Sequence, residues 1–428
     1  MLRLPIRPAT RRHRSIRLPR VLVATMLSVA LMGCSGGFDL FSRFNDNTNQ
    51  APEARFTLEG LPTFGQPDQS PAAPTTAVSI LLPLSGQHAA LGQNMAQAAQ
   101  LAMEDVGQTS VQFTILDTGS TPQGAMSAAQ MAMNTHRADL ILGPLLGPSF
   151  DDVSQYANGG GVSVLGYTND VTRARAGAWT FGLAPEQSIN RTLQWGSLTG
   201  YRQIAVLAPT GPYGDAAIAA TKQAAARFGM LVTVQDRYSA DDISKNQAAE
   251  RIAQNKDFFD VIMIPDRGNA LREIASLLYF HGVDPTAKKY LGLEGWNDTA
   301  LAREQSLVGG VYAVPPVGPI TQFEARYATR FGAAPNLQSM AVYDSILMAA
   351  ELATPTAINS QAPEATARTN NPYAFGQLTR PQGFNGLLGT FRLTANGRVE
   401  RLYEVKQITP GGLMRLAPAP NSFDGVGF

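Results

Sequence analysis

The 428-residue chain has one cysteine and four histidines. A single thiol excludes a disulfide scaffold, a cysteine-rich zinc site and an iron–sulfur protein. Four histidines leave little material for a histidine-based metal site, so neither a metal nor a cofactor is expected. An excess of one charge is missing too: 34 basic residues face 33 acidic ones, a net of +1. That balance offers no basic footprint for nucleic acid. No Gly-x-x-x-x-Gly-Lys phosphate loop and no His-Glu-x-x-His occurs. What is present is a 44% hydrophobic content, enough for a sizeable core, in a length that suits two or three domains.

The amino terminus reads as an address. Residues 1–33 hold seven arginines and no acid, and Val21 to Met32 is an uncharged stretch of twelve residues. A bilayer span needs about 20 apolar residues, so this is a basic region followed by the short apolar core of a secretory signal. The segment ends Leu31-Met32-Gly33-Cys34, which resembles a bacterial lipobox and makes Cys34, the sole cysteine, the expected lipidation site. Loss of residues 1–33 takes the net charge from +1 to −6. Residues 34–76 read as a disordered tether. Five prolines lie in it among Asn, Gln, Ser and Thr, and a flexible coil of that length reaches roughly 35–40 Å. It also holds Phe38, Phe41, Phe44, Phe56 and Phe64, more aromatics than a spacer needs.

From Val78 the pattern alternates. Val78–Leu82, Val111–Leu116, Asp139–Leu142 and Val162–Leu165 read as strands. Gly92–Val106, Pro122–Thr135 and Ser149–Ala157 read as the helices between them. The alternation restarts with strands at 203–207, 231–238, 259–264 and 289–292, separated by helices at 215–228, 243–255 and 269–280. Strands alternating with helices of this length predict an α/β fold, with parallel sheets flanked by helices, in two lobes of similar build. Gln338–Leu352 reads as a further helix and residues 354–372 as a surface loop. Two alternating stretches, 391–394 and 401–407, flank Ala395-Asn396-Gly397-Arg398 and read as a hairpin.

Ile115-Leu116-Asp117-Thr118-Gly119-Ser120 matches the aspartic-peptidase loop, whose chemistry needs two such carboxylates sharing a proton. No second Asp-Thr/Ser-Gly occurs, and a helix starting near Pro122 makes this a strand-to-helix turn, where an aspartate caps. The peptidase is therefore a distant alternative. The remaining candidates are the turns themselves: Ser85-Gly86, Leu142 to Ser149, Gly166 to Asp170, Pro212 to Asp215 and Gly292 to Asn297. In open α/β sheets ligands lie beyond the carboxyl ends of strands, where these turns fall.

The order and spacing of Ser85-Gly86 with Gly92, Leu142-Gly143, Tyr167-Thr168-Asn169, Tyr213-Gly214, Leu293-Glu294-Gly295 and Phe384 to Gly389 resemble the type 1 periplasmic-binding-protein family, in particular its leucine/isoleucine/valine-binding branch. The resemblance implies a non-enzymatic protein of two lobes closing on a small solute about three hinge crossings, expected near 183, 315 and 382. Lobe 1 would then be 77–183 plus 315–382, and lobe 2 would be 184–314 plus 383–428. It implies ligand-binding residues Ser85, Gly86, Gly147, Thr168, Tyr213 and Glu294. Thr168 and the turn at Gly147 would hold an α-carboxylate, and Glu294 an ammonium. Gly147 stands where those binders carry a hydroxyl, and Leu91 where an aromatic is common. Leu81-Leu82-Pro83-Leu84-Ser85-Gly86, the lipobox and the tether are also similar to lipoproteins that activate penicillin-binding proteins. The partners implied are a small-molecule ligand with an ABC permease, or alternatively a peptidoglycan synthase. The place implied is the periplasm, lipid-anchored to the envelope, with the outer membrane favoured because Ser35 follows the cysteine.

Overall fold

The computed structural model describes residues 76–107, 109–354 and 371–424. The expected signal peptide, the expected lipidation site Cys34, the expected tether up to residue 75 and most of the expected loop at 354–372 lie outside them.

The first sheet contains β1 (Thr76–Leu82), β2 (Val111–Asp117), β3 (Leu140–Leu142), β4 (Ser163–Gly166) and β5 (Ala178–Thr180). All are parallel, in the order β2-β1-β3-β4-β5. Its helices are α1 (Ala89–Val106), α2 (Pro122–Asn134) and α3 (Gly147–Gly159). The unbroken apolar run of β1 follows from burial on both faces. Val78, Ile80 and Leu82 enter a core with α1, while Leu81 points into a second core with α2 and α3. Each large side chain buried this way contributes about 1.5–3 kcal/mol. Thr121 starts α2 by accepting from the Gly124 amide, with Pro122 in the first turn, where no intrahelical donor is required.

The second sheet opens after α4 (Pro185–Thr199) with β6 (Gln203–Pro209), α5 (Pro212–Arg227), β7 (Leu231–Tyr238) and α6 (Asp242–Gln254). It continues through β8 (Val261–Met263), α7 (Gly268–Phe280), β9 (Lys289–Gly292) and β10 (Val311–Val314). These strands are parallel in the order β7-β6-β8-β9-β10, the same winding as the first sheet. In both sheets the order reverses beside the first strand, and the turns at that switch point open a crevice. After α8 (Val317–Phe331) and α9 (Leu337–Leu352) come the hairpin β11 (Phe391–Leu393) and β12 (Val399–Arg401), then β13 (Glu404–Thr409) and β14 (Gly412–Ala417).

Two expectations need correcting here. The second sheet is mixed, since β13 joins β10 antiparallel and β14 follows it antiparallel. The last chain pass is not near 382 either. Phe384, Leu388, Phe391, Leu393 and Val399 pack into the first core, whereas Val405 and Ile408 pack into the cores of the second sheet. The chain thus changes sheets between Arg401 and Glu404, and the single strand expected at 401–407 is split. The chain also runs from the first sheet to the second between Thr180 and Pro185, and from β10 of the second sheet to α8, whose Phe323 and Tyr327 join the first core, between Val314 and Val317. β5, α4, β10 and α8 had no clear sequence signal. α4 carries few apolar residues among its polar ones, and Ile189 and Leu193 are buried against the second sheet.

The passes converge on a buried charge. The Arg401 guanidinium lies 4.7 Å from the Phe181 ring centre and 4.9 Å from that of Phe391, and pairs with Asp344 of α9 at 3.5 Å. Both side chains are fully buried. Asp344 also accepts from the amides of Leu387 (2.6 Å) and Leu388 (3.1 Å). Burial raises its carboxyl to about 6 against the pull of Arg401 and those amides. Gly386 is required beside it, because a Cβ there would fall 2.6 Å from the carboxylate.

Candidate functional site

The six expected ligand residues fall at the carboxyl ends of parallel strands, in two groups. Ser85 and Gly86 follow β1, Gly147 follows β3 and Thr168 follows β4, while Tyr213 follows β6 and Glu294 follows β9.

On the first sheet the turn after β1 is tied to the turn after β2. Asp117 Oδ1 accepts from the amides of Leu84 (2.9 Å), Ser85 (3.2 Å) and Gly119 (2.8 Å), and Oδ2 accepts from the Ser85 hydroxyl at 2.5 Å. Burial pushes this carboxyl up, but the Ser85 hydroxyl and the three amides outweigh it and hold Asp117 below the usual carboxylate range. The Asp-Thr-Gly motif is therefore a turn clamp, with its carboxylate oxygens occupied by local donors. Gly86 has φ +79°, and a Cβ would meet the Gly119 carbonyl at 2.6 Å. Thr168 is buried, and its hydroxyl accepts from the Asp170 amide at 3.2 Å.

Gly147 opens α3 against a side chain that the sequence did not single out. A Cβ at Gly147 would fall 2.7 Å from Arg173 Nε. Arg173 donates to Asp170 at 2.8 Å and pairs with Asp151 of α3. Asp170 in turn accepts from the Thr172 amide and hydroxyl. The Thr172 hydroxyl, despite a smaller rise from burial, and then Arg173 hold the Asp170 carboxyl low. The structure thus brings Gly147, Thr168, Asp170 and Arg173 together.

On the second sheet, Gly214 lets α5 start directly on the end of β6, since a Cβ would lie 1.8 Å from the Pro209 carbonyl oxygen. This fixes Tyr213, which is half-exposed. Glu294 begins a 3-10 turn after β9. Buried Trp296 pins that turn by covering Gly292 and donating to the Asp266 carbonyl at 3.2 Å. Among the described residues the Glu294 side chain has no ion pair and no hydrogen bond to another side chain. Burial raises its carboxyl above the usual range, with Arg267 opposing. Burial and then the Glu294 charge raise the Tyr213 phenol, and burial also raises Tyr403, to which Glu294 adds. The Tyr238 hydroxyl donates to Asp266. Tyr238, Asp266 and Arg267 lie at the same carboxyl edge as Glu294 and Tyr213, at or just after the ends of β7 and β8. Their alternation or loop context looked ordinary in sequence, and only the order β7-β6-β8-β9 gathers them.

Chemically this is a set of hydrogen-bonding and charged groups with no nucleophile aligned on a base. Two concavities elsewhere are lined by none of the six residues. One of about 520 Å³ lies between the ends of α1 and α9, and a polar one of about 260 Å³ lies between α4, α5 and the β11–β12 hairpin.

A sequence profile of the family described as periplasmic binding protein matches residues 75–412. The penicillin-binding protein activator LpoA of Vibrio cholerae is 23% identical over 208 residues, which is 47% of this chain and 32% of that protein. The chain thus matches about a third of the length of that curated relative. An ABC transporter substrate-binding protein from Sphaerobacter thermophilus superposes with a TM-score of 0.61 at 16% identity, covering 82% of this chain and all of that one. A branched chain amino acid ABC transporter periplasmic ligand-binding protein from Burkholderia xenovorans LB400 gives 0.60 at 17% identity, over 82% and 97%. A solute binding protein of Rhodopseudomonas palustris BisB5, in complex with 3,4-dihydroxy benzoic acid, gives 0.52 at 16% identity, over 82% and 99%. At these identities the structures establish the fold alone.

Proposed function

The chain belongs to the periplasmic binding protein family, and on that premise we propose that it is a non-enzymatic receptor for a small solute, an amino acid or amino-acid-like compound, held in the periplasm by a lipid on Cys34. The observation that carries this reading is Glu294, a part-buried carboxylate without a cation of its own. A buried charge is costly unless paired, so a ligand ammonium is the natural complement, with the Tyr213 hydroxyl beside it. The three chain passes are positions where two lobes can close like a hinge. The transporter proteins of like fold support delivery to an ABC permease.

Thermal unfolding of the full-length protein with a panel of amino acids and cell-wall fragments tests the reading. A ligand at 100 times its Kd adds about 2.7 kcal/mol, a shift of several degrees at most for a domain of this size. Glu294→Ala should abolish that shift. No shift from any compound sinks the receptor. Cys34→Ser should move the protein from the membrane fraction to the soluble periplasm, and retention at the membrane would refute the anchor.

A second reading is favoured by the match to the activator from Vibrio cholerae and by the turn Leu81 to Gly86: a scaffold lipoprotein that stimulates a peptidoglycan synthase by contact. Its test is co-purification with a peptidoglycan synthase that survives Glu294→Ala.

A further inference from the structure

Both sheets present charge at the carboxyl ends of their strands, but they balance it differently. At the first sheet, Arg173 occupies the direction in which a Gly147 side chain would point, with Nε 2.7 Å and Cζ 3.3 Å from that Cβ position. Its guanidinium is already committed to Asp170 and Asp151. Asp151 also lies 3.7 Å from Arg175. Two guanidiniums and two carboxylates cancel, and the space over the first turn of α3 is filled. A carboxylate arriving there has to pull Arg173 from two acids or settle beside them, and like charges at such range repel. At the second sheet, Glu294 forms no ion pair among the described residues, and Arg267 acts on it only from a distance.

We propose that Arg173, locked between Asp151 and Asp170 over Gly147, makes this receptor select a primary amine that lacks a neighbouring carboxylate, such as an amino-acid amide or the amino end of a peptide, over the free amino acid. The proposal rests on the receptor reading above and narrows its ligand class. Both kinds of compound bring an ammonium to Glu294. Only the free acid also brings a negative group to the first turn of α3, where the Arg173 guanidinium is already paired with two acids.

The test is calorimetric titration of the full-length protein with matched pairs: alanine, leucine, phenylalanine and lysine against their amides. The amide of any pair that binds should bind about tenfold tighter than its acid, equivalent to about 1.4 kcal/mol. Asp170→Asn strips one acid from Arg173 while its side-chain oxygen still accepts from Thr172, so the preference should shrink at least about threefold. Acids that bind as tightly as their amides overturn the proposal and leave the receptor standing. An amide preference unchanged in Asp170→Asn overturns the role of Arg173. Absence of binding by all eight compounds removes the proposal together with the receptor.

Discussion

At the first sheet the acids beyond the strand ends are used internally, Asp117 by three amides and a hydroxyl and Asp170 by Arg173 and Thr172. At the second sheet Glu294 has the same kind of position after a strand and no such partner. The winding of the two sheets is the same, so topology does not account for the difference. Side chains do: Ser85 and Arg173 reach back to their acids, whereas the cation nearest in effect to Glu294, Arg267, lies against Gly295 without pairing. Where an acid clamps a turn it stabilises the fold. Where it stays unpaired its burial diminishes stability.

A third acid calibrates this contrast. Asp344 is more deeply buried than either, yet it has Arg401 and two amides. Arg401→Ala leaves that carboxylate uncompensated and should cost about 3–5 kcal/mol in denaturant unfolding, the largest effect expected. A loss below about 1 kcal/mol would mean that the pair is not buried as described. Asp117→Ala removes the acceptor of three amides and should cost about 1–3 kcal/mol, and an unchanged midpoint would put the two edges on an equal footing. Glu294→Gln should have the smallest effect, neutral to slightly stabilising at neutral pH without ligand. The sign follows from its raised carboxyl. The folded state holds the proton to higher pH than the unfolded one, so the contribution is complete below the ordinary range and lost as pH rises through the folded value. The variant should therefore gain on the natural protein as pH rises. A clear loss at pH 7 would show that Glu294 has an internal partner after all.

Much of the fold was legible because its signals are local. β7 and β9 coincide with the strands expected at 231–238 and 289–292, and α2 begins at the proline that follows its cap. The site was legible only in part. Strand ends located the turns that hold Ser85, Gly147, Thr168, Tyr213 and Glu294, because every βα turn has the same address, and the family resemblance singled out those residues within them. What occupies the space above Gly147 was hidden, since Arg173 lies 22 residues from Asp151 and looked like one basic residue in a loop. The 401–407 stretch was misread for a related reason. Its alternation slips at the adjacent apolar pair Leu402-Tyr403, a faint local mark of the point where the chain leaves one sheet for the other.

The sequence by itself determined the alternation of strands and helices and the caps and turns, all of which depend on neighbours within a few residues. Only the tertiary structure decided which acids are paired. Asp344 meets Arg401 across 57 residues, Asp117 meets Leu84 across 33, and Glu294 meets no counter-ion in ion-pair contact. The energy of a buried charge depends on what the fold brings within a few ångströms of it.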